Sequence, residues 1–282
     1  MLKQRLITAS ILIPLVVWGI FSLSNATFAW ILAVIVLAGA MEWAALIGLT
    51  QPLQRALYAA LVALCMAVAF LLSKVSGGAL FGVLLPALLW WLVALGWLAR
   101  SDGARNPAVA NRAMGRALLI DCGVGIVLLV PAWLALVLLH GMDGGPGYLL
   151  FLMVMIWAAD SGAYFSGRRW GRSKLAPSIS PGKTWEGVAG GLALVTLLAL
   201  LGGGMLFGFS IGGLLLFLPL CLLVVLFSVA GDLFESMFKR RIGVKDSGRL
   251  LPGHGGVLDR IDSLTAAAPL FLLVLLVMGL SL

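Results

Sequence analysis

The sequence predicts an all-α, polytopic integral membrane protein of about nine transmembrane helices, with the N-terminus in the cytoplasm and the C-terminus outside. Three observations carry this reading. Hydrophobic residues make up 62% of the 282 residues and charged residues only 11%, where a soluble domain would cover itself with roughly 25% charge. The apolar residues run continuously for the roughly 20 positions a helix needs to cross about 30 Å of hydrocarbon. Those runs do not alternate as barrel strands do, and helices satisfy their own backbone hydrogen bonds in lipid. Finally, the basic residues fall almost entirely on one side of the spans so defined.

Taken in order, the first run covers 6–24. Met1 to Arg5 ahead of it, and Ser24-Asn25-Ala26 after it, resemble a signal peptide with its cleavage site. The run is longer than a signal core and many spans follow, so a retained helix is expected. Runs 27–49, 56–73 and 78–98 complete an N-terminal region, 1–116, of about four spans. Runs 117–140, 148–166, 187–209, 211–230 and 264–282 form a C-terminal region, 117–282, of about five. The glycines Gly202 to Gly204, Gly212 and Gly213 are compatible with spans, because glycine lets membrane helices pack closely. Cytoplasmic loops are expected at 167–186 and 231–263, the latter with the chemistry of the second region. No internal repeat and no separate soluble domain is visible.

With the N-terminus inside, every one of the 19 Lys and Arg residues except Lys74 lies on the cytoplasmic side. That asymmetry sets the orientation and supports an odd number of spans. The net charge of +8 therefore reports topology and contact with anionic lipid, and calls for no nucleic acid. Cys65, Cys122 and Cys221 are far apart, in or at the edge of apolar segments, with no CxxC or Cys/His cluster. Neither a zinc site nor a disulfide framework is supported.

Carboxylates are scarce and do not serve the charge asymmetry, so their positions are informative. Asp160, Glu186, Asp232, Glu235, Asp246, Asp259 and Asp262 all fall at or near the cytoplasmic face. A carboxylate in or beside a span is costly and marks a functional site or an ion pair. Asp160 lies within the sixth run, where Arg168 or Arg169 could pair with it. Asp232, Glu235, Ser236 and Lys239 share one face if the eighth helix continues past 230; Glu235 and Lys239 are spaced for a solvated ion pair. Asp259 and Asp262 stand one turn apart before the last run, suited either to a hard cation or to capping and charge pairing.

Between these groups, Lys239, Arg240, Arg241, Lys245, Arg249 and Arg260 interleave with Asp246 and with Pro252-Gly253-His254-Gly255-Gly256. Glycines let backbone N–H groups approach phosphate, and basic side chains balance its charge. Phosphoryl or nucleotidyl transfer needs that combination. A second polar island runs from Arg172 to Glu186. Its Gly182-Lys183-Thr184 is not a P-loop end, since position 177 is Pro and no strand precedes it; Lys183 and the nearby hydroxyls can still hold phosphate.

The segment from Ser236 to Asp262 resembles the signature of the phosphatidate cytidylyltransferase (CDP-diacylglycerol synthase) family. The pattern S-x-apolar-K-R-x4-K-D-x-[GSA]-x2-apolar-[PG]-x-H-G-G-apolar-x-D-R-apolar-D is met at every defined position. The stretches Asp160 to Tyr164 and Ser180 to Glu186 also resemble family segments. The resemblance implies Mg²⁺-dependent transfer of CMP from CTP to phosphatidate, giving CDP-diacylglycerol and pyrophosphate for phospholipid biosynthesis. A second cation such as K⁺ beside Mg²⁺ would fit the family. CTP would arrive from the cytoplasm and phosphatidate from the inner leaflet of a bacterial inner membrane, where the enzyme would be multi-pass, surrounded by membrane lipids and free to form a homodimer.

On this reading the catalytic candidates are Asp232, Asp259, Lys245 and Asp246. Substrate would be held by Ser180, Lys183, Lys239, Arg240, His254, Gly255, Gly256 and Arg260. Asp232 and Asp259, with Asp262 and Asp160, are the candidate metal ligands. A CDP-alcohol phosphotransferase is excluded, because Asp102-Gly103-Ala104-Arg105 continues with Asn106 and Pro107 and lacks the later aspartates. A transporter would show repeats and mid-membrane breaks, and the charges here gather at one surface instead.

Overall fold

The computed structural model describes residues 2–100, 114–248, 250 and 255–280. Among these, nine helices run in order: α1 Leu2–Ser22, α2 Asn25–Leu46, α3 Pro52–Val75, α4 Gly77–Arg100, α5 Met114–Gly141, α6 Gly145–Trp170, α7 Trp185–Met205, α8 Ile211–Arg241 and α9 Leu258–Val277. A two-stranded antiparallel hairpin, β1 Lys174–Ala176 and β2 Ser180–Thr184, lies between α6 and α7. Helices α2 to α9 are long and apolar enough to cross a membrane. His254, with Arg249, Pro252 and Gly253, and the loop bearing Asp102, Arg105 and Arg112 lie outside the described residues.

The helices form where the apolar runs predict, and local chemistry sets their ends. Ser24 accepts a hydrogen bond from the Thr27 backbone N–H at 3.3 Å and starts α2. Thr184 does the same for Gly187 at 3.1 Å and starts α7. Both side chains satisfy N–H groups that the first turn leaves unpaired. Between α5 and α6 the chain reverses through Gly144 at φ 70°, a left-handed conformation that costs glycine little.

Helix α9 is the hub of the bundle, packing on α8, α5, α4 and α2. The side chains of Ala266 to Leu275 are buried almost without break, as are those of Leu128 to Leu139 in α5. Trp90, Trp91 and Trp97 of α4 meet Phe234 of α8 edge-on, with ring centroids 5.7–6.0 Å apart.

Three differences from the sequence reading matter for the site. Helix α8 runs on to Arg241; its 31 residues span about 46 Å at 1.5 Å per residue, well beyond the hydrocarbon thickness. Helix α9 begins at Leu258, so Asp259 and Asp262 lie inside it. The segment expected as loop 167–186 contains the last turn of α6 and the hairpin.

Candidate active site

Close helix packing builds one side of the site. Helices α6 and α7 touch backbone to backbone, because a Cβ on Gly162 would stand 2.8 Å from the Gly190 carbonyl oxygen. One on Gly191 would stand 2.7 Å from that of Ala159. This contact fixes Asp160, beside Ala159, against the start of α7 and the hairpin leading into it. On the other side, a Cβ on Gly231 of α8 would stand 2.5 Å from the Asp262 carbonyl oxygen of α9. Asp232 and Asp262 are thereby brought to one crossing point.

The hairpin supplies the cation between these walls. Lys183 donates to Asp232 Oδ2 at 2.6 Å and is near enough to Asp160 for their charges to interact. Asp232 also receives a 3.3 Å hydrogen bond from Ser236 one turn along, and it interacts electrostatically with Asp160 and Asp262. Four elements, α6, β2, α8 and α9, thus bring Asp160, Lys183, Asp232 and Asp262 together. Ser180 opens β2 on the same hairpin, half-buried.

Lys239 sits deeper. Only 6% exposed, it donates to Glu235 Oε2 at 2.8 Å and to Asp259 Oδ1 at 2.6 Å. The pair with Glu235 expected on a solvated face is therefore buried, with Asp259 as a third member. Asp259 Oδ2 accepts from the backbone N–H groups of Ser247 at 3.0 Å and Gly256 at 2.7 Å. Gly255, at φ +84°, passes so close that a Cβ would stand 2.7 Å from Asp259 Oδ2 and 3.2 Å from Asp246 Cβ. Arg240 donates from Nε to the Ile179 carbonyl at 3.1 Å and from its guanidinium to the Val244 carbonyl at 2.9 Å. It pins the hairpin turn to the end of α8, while Lys245, Asp246 and Arg260 remain exposed around the site.

A cavity of about 170 Å³ lies between α6 and α9. Asp160, Asp259, Arg260, Asp262 and Ser263 line one part of it, and Met153, Ile156, Trp157 and Leu264 the rest. It can therefore receive a molecule with a charged and an apolar part. Among the described residues no three His, Cys, Asp or Glu side chains converge as a metal-binding group. The carboxylates nonetheless fit Mg²⁺, which takes oxygen ligands and is commonly held by one or two carboxylates plus waters and substrate phosphates. Asp232, with Asp160 or Asp262, supplies such a set, whereas the lone pairs of Asp259 are already shared among Lys239 and two backbone N–H groups.

Sequence reasoning did not single out Glu42. Its partners lie in 247–258, and the available signal was a lone carboxylate inside an apolar run.

The chain is similar in sequence to known proteins. A family model described as "Cytidylyltransferase family" matches residues 3–278. The chain is 48% identical over 271 residues, 96% of each chain, to a Pseudomonas aeruginosa protein named phosphatidate cytidylyltransferase. A Haemophilus influenzae protein of the same name is 38% identical over 296 residues, covering 96% of this chain and 97% of its own. One from Brucella suis is 48% identical over 149 residues, about half of each chain.

Proposed function

We infer the activity from the premise that the chain belongs to the cytidylyltransferase family: it transfers CMP from CTP to phosphatidate, giving CDP-diacylglycerol and pyrophosphate for phospholipid synthesis. The name shared by its full-length relatives supports CTP-dependent CDP-diacylglycerol synthesis. The observation that carries the reading to this chain is the cavity between α6 and α9, with carboxylates and Arg260 beside an apolar wall. A phosphate-headed lipid matches both parts. We place the protein in a bacterial inner membrane, with this end toward cytoplasmic CTP.

A phosphate oxygen of phosphatidate attacks the α-phosphorus of CTP; the bond from that phosphorus to the β-phosphate oxygen breaks, and pyrophosphate leaves. The nucleophile is already anionic, so no strong general base is required. Catalysis is then mainly positioning and neutralisation of charge on the phosphates. Lys183, Lys245 and Arg260 are the cations placed at the site to meet phosphate, while Lys239 and Arg240 hold the framework that carries them. Asp232, with Asp160 and Asp262, would hold Mg²⁺, which when bound neutralises phosphate oxygens and orients the leaving group. Displacing Lys183 from Asp232 toward a phosphate exchanges one ion pair for another within the site.

The test is turnover by purified protein in detergent micelles containing phosphatidate, with Mg²⁺ or with excess EDTA. A CDP-lipid product and pyrophosphate that need both phosphatidate and Mg²⁺ are expected. A folded, monodisperse sample that yields no lipid-linked product would overturn the reading.

A further inference from the structure

Glu42 lies on α2, in the N-terminal half, yet its side chain reaches the segment that carries the site. It is buried, and both carboxyl oxygens are engaged. Oε1 accepts from the Val257 backbone N–H at 3.0 Å, and Oε2 accepts from that of Leu258 at 2.8 Å and from Ser247 Oγ at 2.8 Å. Leu258 is the first residue of α9, so the carboxyl occupies a helix N-terminus, where unpaired N–H groups and the helix dipole favour an acidic partner. The same segment closes on Asp259 through the N–H groups of Ser247 and Gly256, and Asp259 in turn receives Lys239.

The fit is close. A Cβ on Gly248 or Gly256 would collide with the Glu42 carboxyl, so these glycines let the loop backbone wrap around it. Burying a carboxyl among apolar helices is costly unless hydrogen bonds compensate, and an apolar side chain would fill the space at lower cost. Every hydrogen bond described for Glu42 goes to 247–258 rather than to its neighbours on α2.

We infer that Glu42 is a positioning residue for CMP transfer: it fixes Ser247, Gly248 and Gly256 to Leu258 and, through them, holds Asp259, Lys239 and Arg260 in working register. The first N–H groups of α9 are thereby occupied from within the protein, which leaves the substrate phosphates to side-chain cations. This inference rests on the reaction proposed above.

The experiment is steady-state kinetics with CTP and phosphatidate on the wild type, Glu42→Gln, Ser247→Ala and the double variant, with hydrogen exchange on the same samples. Glu42→Gln keeps the shape but turns one acceptor into an NH2 that faces a donor. It is expected to lower kcat roughly 10- to 100-fold while KM for CTP moves by less than about threefold. Ser247→Ala is expected to lower kcat less, and to add little in the Glu42→Gln background. Peptides covering 247–258 should exchange faster in Glu42→Gln, with the other helices unchanged. A kcat within about twofold of wild type in both single variants would overturn the inference, even if thermal stability fell. Should Glu42→Gln not yield monodisperse protein, Ser247→Ala decides by whether its kcat falls with KM held. A wild type without turnover would overturn the reaction and this inference together, whereas wild-type turnover with unaltered variants overturns this inference alone.

Discussion

Asp232 stands beside the carboxyls of Asp160 and Asp262; Lys183 pairs with it at 2.6 Å, and Arg260 and Lys239 add positive charge to the group. Both side chains keep part of their surface exposed, 24% for Lys183 and 33% for Asp232, so their pairing contributes at most about 1 kcal/mol to stability. Asp232→Asn should therefore leave the fold intact while lowering kcat by roughly 10³-fold, through loss of the charge that would hold Mg²⁺ and orient Lys183. Steady-state kinetics, with size-exclusion profiles as the folding check, measure this; near-normal turnover would remove Asp232 from the site. The sequence singles out this residue, and with it Asp160, Asp259 and Asp262, as candidates because carboxylates are few and lie against apolar runs. It did not expose the roles of their partners. Lys239 and Arg240 read as phosphate ligands because basic residues beside Gly-rich loops often are. Their bonds to Glu235, Asp259, Ile179 and Val244 depend on elements that meet only in the folded chain. The same holds for Glu42, whose sequence neighbours are all apolar and whose partners are in 247–258.

Among the elements, the helices were the most legible, because run length against bilayer thickness decides them. The hairpin was the least legible: β1 and β2 are short, lack alternating apolar residues and contain Pro181 and Gly182. They hold together through tertiary bonds, notably Arg240 to Ile179 and the Trp185 backbone N–H to the Ser173 carbonyl at 2.9 Å. The continuation of α8 to Arg241 was foreseen only as a condition for a shared face, and Ser236 to Asp232 and Lys239 to Glu235 meet it. The contact between α6 and α7 gives a test at this scale. Gly191→Leu places a side chain against the Ala159 backbone, which cannot move aside as a flexible side chain could. Overpacking of this kind costs typically about 1–3 kcal/mol, and separating the helices also pulls Asp160 away from Lys183. A lower melting temperature in detergent together with reduced turnover is expected. Gly204→Leu, on the same helix where an added Cβ meets nothing within 4 Å, should leave both near wild type. Equal behaviour of the two variants would contradict the packing argument.

For the whole molecule, charge asymmetry and fold agree on one chemically active end. If α1 also spans and starts in the cytoplasm, as the sequence reading expects, alternation of the helices would put Lys74, near the end of α3, on the outer side. The ends of α6, α8 and the hairpin and the start of α9 would then lie together inside. The apolar parts of α5 and α9 form a core that holds this end in place, so the N-terminal half does more than anchor: α2 reaches the active segment through Glu42, and α4 packs on α8 beside it. We propose that CMP transfer takes place at this end, on the cytoplasmic side, with a lipid phosphate presented between α6 and α9. The most direct measurement is CDP-lipid formation in sealed vesicles of known orientation, loaded with phosphatidate and Mg²⁺, with CTP supplied to one face at a time, for wild type and for Asp232→Asn. Product is expected only when CTP meets the face bearing the hairpin and the start of α9, and almost none from Asp232→Asn on either face. Product formed from CTP at the Lys74 face, or undiminished product from Asp232→Asn, would contradict it.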